Sequence, residues 1–201
     1  TGVGAIINTA KIVPGSTIAI VGLGGVGLSA LLGGIVAGAG RIIAVDLSDD
    51  RLGLARQLGA TDTFNAADVD CVEKVMEATS GGVDYAFEVA GVVQAMETAY
   101  SITKRGGVTV TSGLSHHQEK FEVPHAQLVL DERTIKGSFM GSSIVRHDVP
   151  RLINLYKQGK LPIDKLRSGN IGLDDLNAGF DKLASGDAVR QMLVMHKEFD
   201  L

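Results

Sequence analysis

The chain of 201 residues is 45% hydrophobic with a formal net charge of −4, enough to bury a sizeable core in one or two domains. A pI near 5.7 and basic residues no more clustered than Lys104-Arg105 exclude nucleic acid and anionic membrane as expected partners. The lone cysteine, Cys71, excludes an intrachain disulfide and a C-x-x-C metal knuckle.

No Asp, Glu, Lys or Arg stands between Lys11 and Arg41, a stretch nominally long enough to cross a bilayer. Pro14 and the glycines of Gly22–Gly27 interrupt it, and its composition changes from β-branched to Ala/Leu/Gly. A strand followed by a helix is the better reading. Thr17–Val21 forms the strand, Gly22-Leu23-Gly24-Gly25-Val26-Gly27 a G-x-G-x-x-G turn, and Ile42–Asp46 a second strand ending in an acid. Each part answers a demand of a dinucleotide. Gly22 permits the tight turn, Gly24 lets backbone approach a pyrophosphate, and Gly27 lets the helix lie close to the sheet. The helix N-terminus offers free N–H groups to phosphate, and Asp46 is placed to accept from an adenosine ribose.

The text then keeps alternating. Ser48 caps a helix whose apolar face is Leu52, Leu54, Ala55 and Leu58, ending at Gly59. Thr61–Asn65 reads as a strand, Val69–Thr79 as a helix closed by Gly81-Gly82, and Val83–Val89 as an alternating strand ending at Gly91. Val92–Thr103 is the next helix and Gly107–Ser112 the next strand. This order predicts an α/β fold, a Rossmann-type doubly wound parallel sheet with helices on both faces. From about Ser115 the rhythm changes. A polar loop His116–Lys120, a short helix Ala126–Asp131 and a strand Arg133–Met140 come first. Helices over Val149–Gln158 and Asp174–Ala184 and a last strand Val189–Met195 follow. A dinucleotide-binding domain over 1–140 and a return segment over 141–201 are expected.

Other reactive residues carry plainer readings. His116 and His117 are neighbours in a loop, and His125, His147 and His196 lack ligand spacing, so no metal site is expected. Cys71 reads as a small half-buried residue with no oriented base, and no catalytic residue is assigned. Asp84 and Glu88 share a strand face; a structural role is favoured over an acid/base pair. Arg51 could pair with an acid one turn away on its own helix. Asp46 facing a ribose 2′-phosphate would meet like-charge repulsion, worth at least about a hundredfold in affinity, so NAD is expected over NADP.

The segments Thr1–Ala5, Asn8–Lys11, Pro14-Gly15-Ser16, Gly22–Leu28, Arg41–Asp46, Gly59-Ala60-Thr61, Gly82-Val83-Asp84, Phe87-Glu88-Val89, Gly91, Lys136-Gly137-Ser138, Gly179-Phe180, Gly186 and Val189-Arg190 follow one another in a familiar order. Across nearly its whole length the chain resembles the zinc-type, medium-chain alcohol dehydrogenases. It stands nearer to those acting on alcohols or the glutathione adduct of formaldehyde than to polyol or quinone enzymes. The resemblance implies pyrophosphate contacts from Gly22, Gly24, Gly25, Val26 and Gly27, and ribose contacts from Asp46 with Arg51 beside it. It places Val89 and Gly91 against the cofactor and the backbone of Ser112, Gly113 and Leu114 at the nicotinamide amide. Arg190, otherwise a solvated strand residue, would reach a phosphate, and Thr1 matches a threonine near the nicotinamide. It also implies a GroES-like N-terminal domain, absent here, that supplies Cys, His and acid ligands to a catalytic zinc. The chain thus reads as a cofactor half that binds NAD weakly and turns over no alcohol alone, with an alcohol or aldehyde as substrate of the intact enzyme. Homodimerisation through the edge strand at 135–140 and a cytoplasmic location are expected. Rival readings are a non-catalytic NAD-binding or regulatory module and a zinc-free, NADPH-dependent quinone-reductase relative.

Overall fold

The computed structural model describes residues 1–195, so His196 lies outside the described residues. Six parallel strands form the main sheet: β1 (Thr17–Val21), β2 (Arg41–Asp46), β3 (Asp62–Asn65), β4 (Val83–Glu88), β5 (Thr103–Thr111) and β6 (Thr134–Gly137). Their spatial order is β3-β2-β1-β4-β5-β6. After β3 the chain crosses to the other side of β1, which leaves a crevice between the carboxyl ends of β1 and β4. In sheets of this kind that switch point is where ligands bind. The doubly wound α/β fold expected from the sequence is the one observed.

Connections are α2 (Gly25–Val36), α3 (Asp49–Leu58), α4 (Cys71–Ala78) and α5 (Val93–Ser101). Ser48 caps α3, its hydroxyl accepting from Arg51 N, and Gly59 ends it at φ 113°. That left-handed conformation suits glycine, and an added Cβ would also stand 2.8 Å from Ile35 Cδ1. Leu52, Ala55 and Leu58 face inward as the periodicity requires. The inner strands are buried on both faces: Ala86, Phe87 and Glu88 are successive buried residues, as expected of a central parallel strand. The apparent alternation in β4 therefore does not mark an exposed face at its carboxyl end.

The N-terminal segment is helical in a form the sequence does not announce. A short helix α1 (Gly2–Gly4) runs into a π-helical stretch Ala5–Ala10, closed by Lys11 at φ 54°. Gly2 rests so close to α2 that a Cβ there would lie 2.1 Å from Val26 O. The π-helical stretch holds the chain beyond β6. Thr9 Oγ1 bonds Ser138 Oγ at 2.7 Å and Ser142 Oγ at 2.8 Å, while Asn8 Nδ2 donates to Gly141 O and Asp148 Oδ2.

Two compact units result, Thr1–Leu161 and Pro162–Leu201. Within the first, Asn8 and Thr9 bind residues on either side of Met140. That unit includes α6 (His125–Leu130) and α7 (Val145–Lys157), the latter beginning four residues earlier than its apolar pattern indicated. β6 is shorter than expected, since Met140, Gly141 and Ser142 all adopt positive φ and end the extended run. The second unit carries β7 (Gly169–Ile171) parallel to β8 (Gln191–Leu193), with α8 (Leu176–Ser185) between them and Gly186 at φ 88° as its stop. Its last strand is confined to three residues rather than Val189–Met195. Among the described residues no helix is long and apolar enough to cross a membrane.

At the amino end of the sheet Arg41 ties three elements together. It donates to Asp62 through Nε at 2.8 Å and Nη2 at 2.7 Å, and through Nη1 to Ala78 O. That hydrogen bond, opposed by partial burial, holds the Asp62 carboxyl below the usual aspartate range. A depressed carboxylate pKa stabilises the fold above the unfolded value, and the gain is lost as pH falls through the folded one. The thermal midpoint of Arg41→Met should therefore fall below wild type at pH 7, and the gap should narrow as pH falls below the ordinary aspartate range. A gap that persists at low pH in differential scanning calorimetry would show that packing alone is responsible.

Candidate functional site

The site begins with the strand–turn–helix at residues 17–36. Gly22 turns the chain at φ 98°, with its N–H bonded to Val45 O at 2.8 Å. A Cβ on Gly27 would stand 1.8 Å from Gly22 O and 3.2 Å from Val89 Cγ2, so only glycine lets α2 start this close to the sheet. Gly24 is the residue before the helix and has no side-chain cap. A Cβ on it would meet nothing within 4 Å, so its outer face is open. The first amides of a helix have no intrahelical acceptor. Those of Gly25, Val26 and Gly27 therefore offer uncapped donors, and the partial positive end of the dipole, to an anion. The residues fit a pyrophosphate.

Asp46, at the end of β2, is buried, and it already holds two backbone donors. Oδ2 accepts from Leu23 N at 2.6 Å, and Oδ1 from Ser48 N at 2.9 Å. The acid thus braces the glycine turn from the neighbouring strand. Each carboxylate oxygen has a further lone pair, which leaves capacity for a ribose hydroxyl. Arg51 Nη1 approaches Asp46 Oδ2 at 3.9 Å. Its partner is the strand-end acid and not an acid of its own helix.

Across the crevice the carboxyl end of β4 meets the same turn. Val89 N donates to Val21 O at 3.0 Å, and Gly22 lies so close to Ala90 that a Cβ there would be 2.8 Å from Ala90 N. Gly91 turns at φ 81° against Leu114, whose carbonyl would be 3.0 Å from an added Cβ. Ser112 N donates to Glu88 O at 2.9 Å, and Gly113 N reaches it at 3.4 Å. Leu114 is exposed. The structure thus gathers Gly22, Gly24, Gly25, Val26, Gly27, Asp46, Arg51, Val89, Gly91, Ser112, Gly113 and Leu114 at one edge of the sheet. Arg190 belongs to the second unit. It is exposed and precedes β8, where its carbonyl accepts from Ser168 N at 2.7 Å.

Asp84 and Glu88 do not work as a pair. Asp84 lies near the amino end of β4, accepts from Thr17 N at 2.7 Å and is ion-paired with Lys104. Desolvation raises its pKa, but the Lys104 and Thr17 contacts outweigh it and leave the value lowered. Glu88 sits at the other end, 2% exposed. Oε1 accepts from Ala90 N at 2.8 Å and Gly91 N at 2.6 Å, and Oε2 accepts from Thr111 Oγ1 at 2.6 Å. This staple under the β4 and β5 loops is the residue whose importance the sequence understated. An acid at a strand end, two residues before the first residue of a loop amide pair, is the pattern that could have marked it.

Cys71 is buried, and burial pushes its thiol pKa up, with Asp68 adding to the effect; a thiolate nucleophile is disfavoured. The His116 and His117 rings lie tilted against each other, centroids 4.3 Å apart. Among the described residues no three His, Cys, Asp or Glu side chains are grouped to hold a metal ion. The described residues thus supply no ligand set that fits a catalytic zinc.

The sequence pattern of the family described as "Zinc-binding dehydrogenase" matches residues 25–158, from the first residue of α2 almost to the end of the first unit. The chain belongs to that family. Alcohol dehydrogenase 1 of Trifolium repens is 38% identical over 200 residues, covering 98% of this chain and 52% of that protein. Alcohol dehydrogenase 1 of Oryza sativa subsp. indica is 40% identical over 198 residues, covering 97% and 52%. The zinc-binding dehydrogenase chain thus spans about half the length of the curated relatives it matches. A benzyl alcohol dehydrogenase structure from Acinetobacter calcoaceticus superposes with a TM-score of 0.94 at 35% identity, over 98% of this chain and 54% of that one. An alcohol dehydrogenase zinc-binding domain protein from Burkholderia ambifaria gives 0.93 at 35%, over 98% and 53%.

Gly27→Ala tests the turn. The added methyl meets a backbone carbonyl that cannot move without displacing Asp46 and Ala90, so a loss of about 1–3 kcal/mol is expected. Chemical denaturation monitored by circular dichroism measures it; an unchanged midpoint would mean that the turn tolerates a shifted helix.

Proposed function

We propose that this chain binds NAD(H) across the switch point and forms the cofactor half of an NAD-dependent, zinc-type alcohol dehydrogenase. The observation that carries the reading is the uncapped start of α2, its open Gly24 face set beside a strand-end acid with spare lone pairs. Gly25, Val26 and Gly27 would hold the pyrophosphate by their amides. Asp46 and Arg51 would hold the adenosine ribose, while Val89, Gly91 and the Ser112–Leu114 backbone orient the nicotinamide half. When bound, the nicotinamide supplies hydride-transfer chemistry; the chain's residues position it and shield it from water.

An alcohol as hydride donor, an aldehyde or ketone as product, and a zinc held by residues outside this sequence belong to the proposal for the whole enzyme. The named activities of the relatives support it. A homodimer through the edge strand β6 and a cytoplasmic location go with it. β6 is exposed along its length, and an open edge favours pairing. A non-catalytic NAD-binding module would share the same seat; alcohol oxidation by the intact enzyme separates the two.

Titration calorimetry with NAD and NADP checks the cofactor. Wild type should prefer NAD by at least about a hundredfold. Asp46→Asn should lower both affinities, because it disturbs the Leu23 and Ser48 bonds, but should shrink the ratio of the two. An unchanged ratio would remove Asp46 from the specificity argument, and a preference for NADP would overturn the assignment.

A further inference from the structure

Glu88 is a buried carboxylate without a counter-ion. It is 2% exposed and accepts three hydrogen bonds, from Ala90 N, Gly91 N and Thr111 Oγ1. Among the described residues no Lys, Arg or His lies within ion-pair distance of it. The other strand-end acid, Asp46, has Arg51 nearby, and Asp84 and Asp62 have Lys104 and Arg41. Buried charges are ordinarily paired as well as hydrogen-bonded. An exception at a ligand-binding edge is a candidate functional group.

Its place in the fold says what could pair with it. β4 is the first strand of the second mononucleotide half, and Glu88 lies under the loops Ala90-Gly91 and Ser112-Gly113. A Cβ on Gly113 would stand 2.5 Å from Glu88 Oε1, so backbone alone separates the carboxylate from that loop. In a doubly wound sheet the second half receives the second nucleoside of a dinucleotide. For NAD that group is a pyridinium, positive when oxidised and neutral when reduced.

We infer that Glu88 is a positioning and charge-selecting residue that favours the oxidised nicotinamide over the reduced one, its missing counter-ion arriving with the cofactor. The inference rests on the proposal that the chain binds NAD(H). A unit charge within about 10 Å, at an effective dielectric near 20, changes an equilibrium by on the order of tenfold. Only the oxidised form gains from it.

Glu88→Gln removes the charge and keeps the contacts. The amide oxygen can accept from Ala90 N and Gly91 N, and its NH2 can donate to Thr111 Oγ1, since a hydroxyl both gives and receives. Dissociation constants for NAD+, NADH and ADP-ribose, measured by calorimetry on wild type and variant, form the test. ADP-ribose lacks the pyridine ring and should bind both equally. The ratio of NAD+ to NADH affinity should fall by on the order of tenfold in Glu88→Gln. Thr111→Val, which loses a hydrogen bond but keeps the carboxylate, should leave that ratio as in wild type. An unchanged ratio in Glu88→Gln overturns the inference, as does loss of ADP-ribose binding by that variant, which would make the carboxylate a structural staple only. Wild type that binds neither NAD+ nor ADP-ribose defeats the parent proposal. Wild type that binds ADP-ribose while Glu88→Gln keeps the wild-type ratio defeats this inference and leaves the parent standing.

Discussion

The contact on which the rest depends is backbone against backbone: the α-carbon of Gly27 beneath the carbonyl of Gly22. It sets where α2 begins and how its first amides point over the crevice. A side chain at either position would push the helix off the sheet or the turn off Ala90. Displaced in this way, the helix would no longer aim its dipole at the switch point. Close packing on the other side reinforces the placement. Gly33 has Val3 against its α-carbon and Gly34 has Ile18, so α2 is fitted to α1 and to the sheet through its glycines.

Acids at strand ends serve as acceptors for loops. Asp46 secures the turn after β1 from β2, and Glu88 secures the turn after its own strand and the loop after β5. Two neighbouring mononucleotide halves thus use the same device, a carboxylate at a carboxyl edge accepting from glycine-rich backbone. The difference is electrical. Asp46 stands beside an arginine, in keeping with a neutral sugar as its proposed ligand. Glu88 stands alone.

The sheet's amino edge carries the complementary work of stability. Asp62 with Arg41 and Asp84 with Lys104 join β2, β3, β4 and β5 there. Four residue steps of extended strand, about 13 Å, separate Asp84 from Glu88. One end of β4 is tied into an ion pair and the other carries a carboxylate held by hydrogen bonds alone. The residues past β6 are held to the same unit by Asn8 and Thr9, polar side chains on a π-helical stretch.

The alternation of apolar runs with helix-length segments determined the parallel, doubly wound sheet, since each run between glycine stops buries two faces only in that arrangement. The G-x-G-x-x-G turn was legible as the link between β1 and α2 because its local geometry admits few residue types. The end of β6 was not: Met140 and Ser142 adopt positive φ, which their side chains disfavour, so tertiary contacts with Gly4 and Thr9 overrule local preference. The π-helical form of Ala5–Ala10 and the tie from Asn8 to Asp148 link positions far apart in the chain, and no periodicity announces them. Glu88 is the clearest case. Its alternation with Tyr85 and Phe87 is that of any half-exposed strand, and only the folding of β1 and β5 against both sides of β4 turns it into a buried, unaccompanied charge.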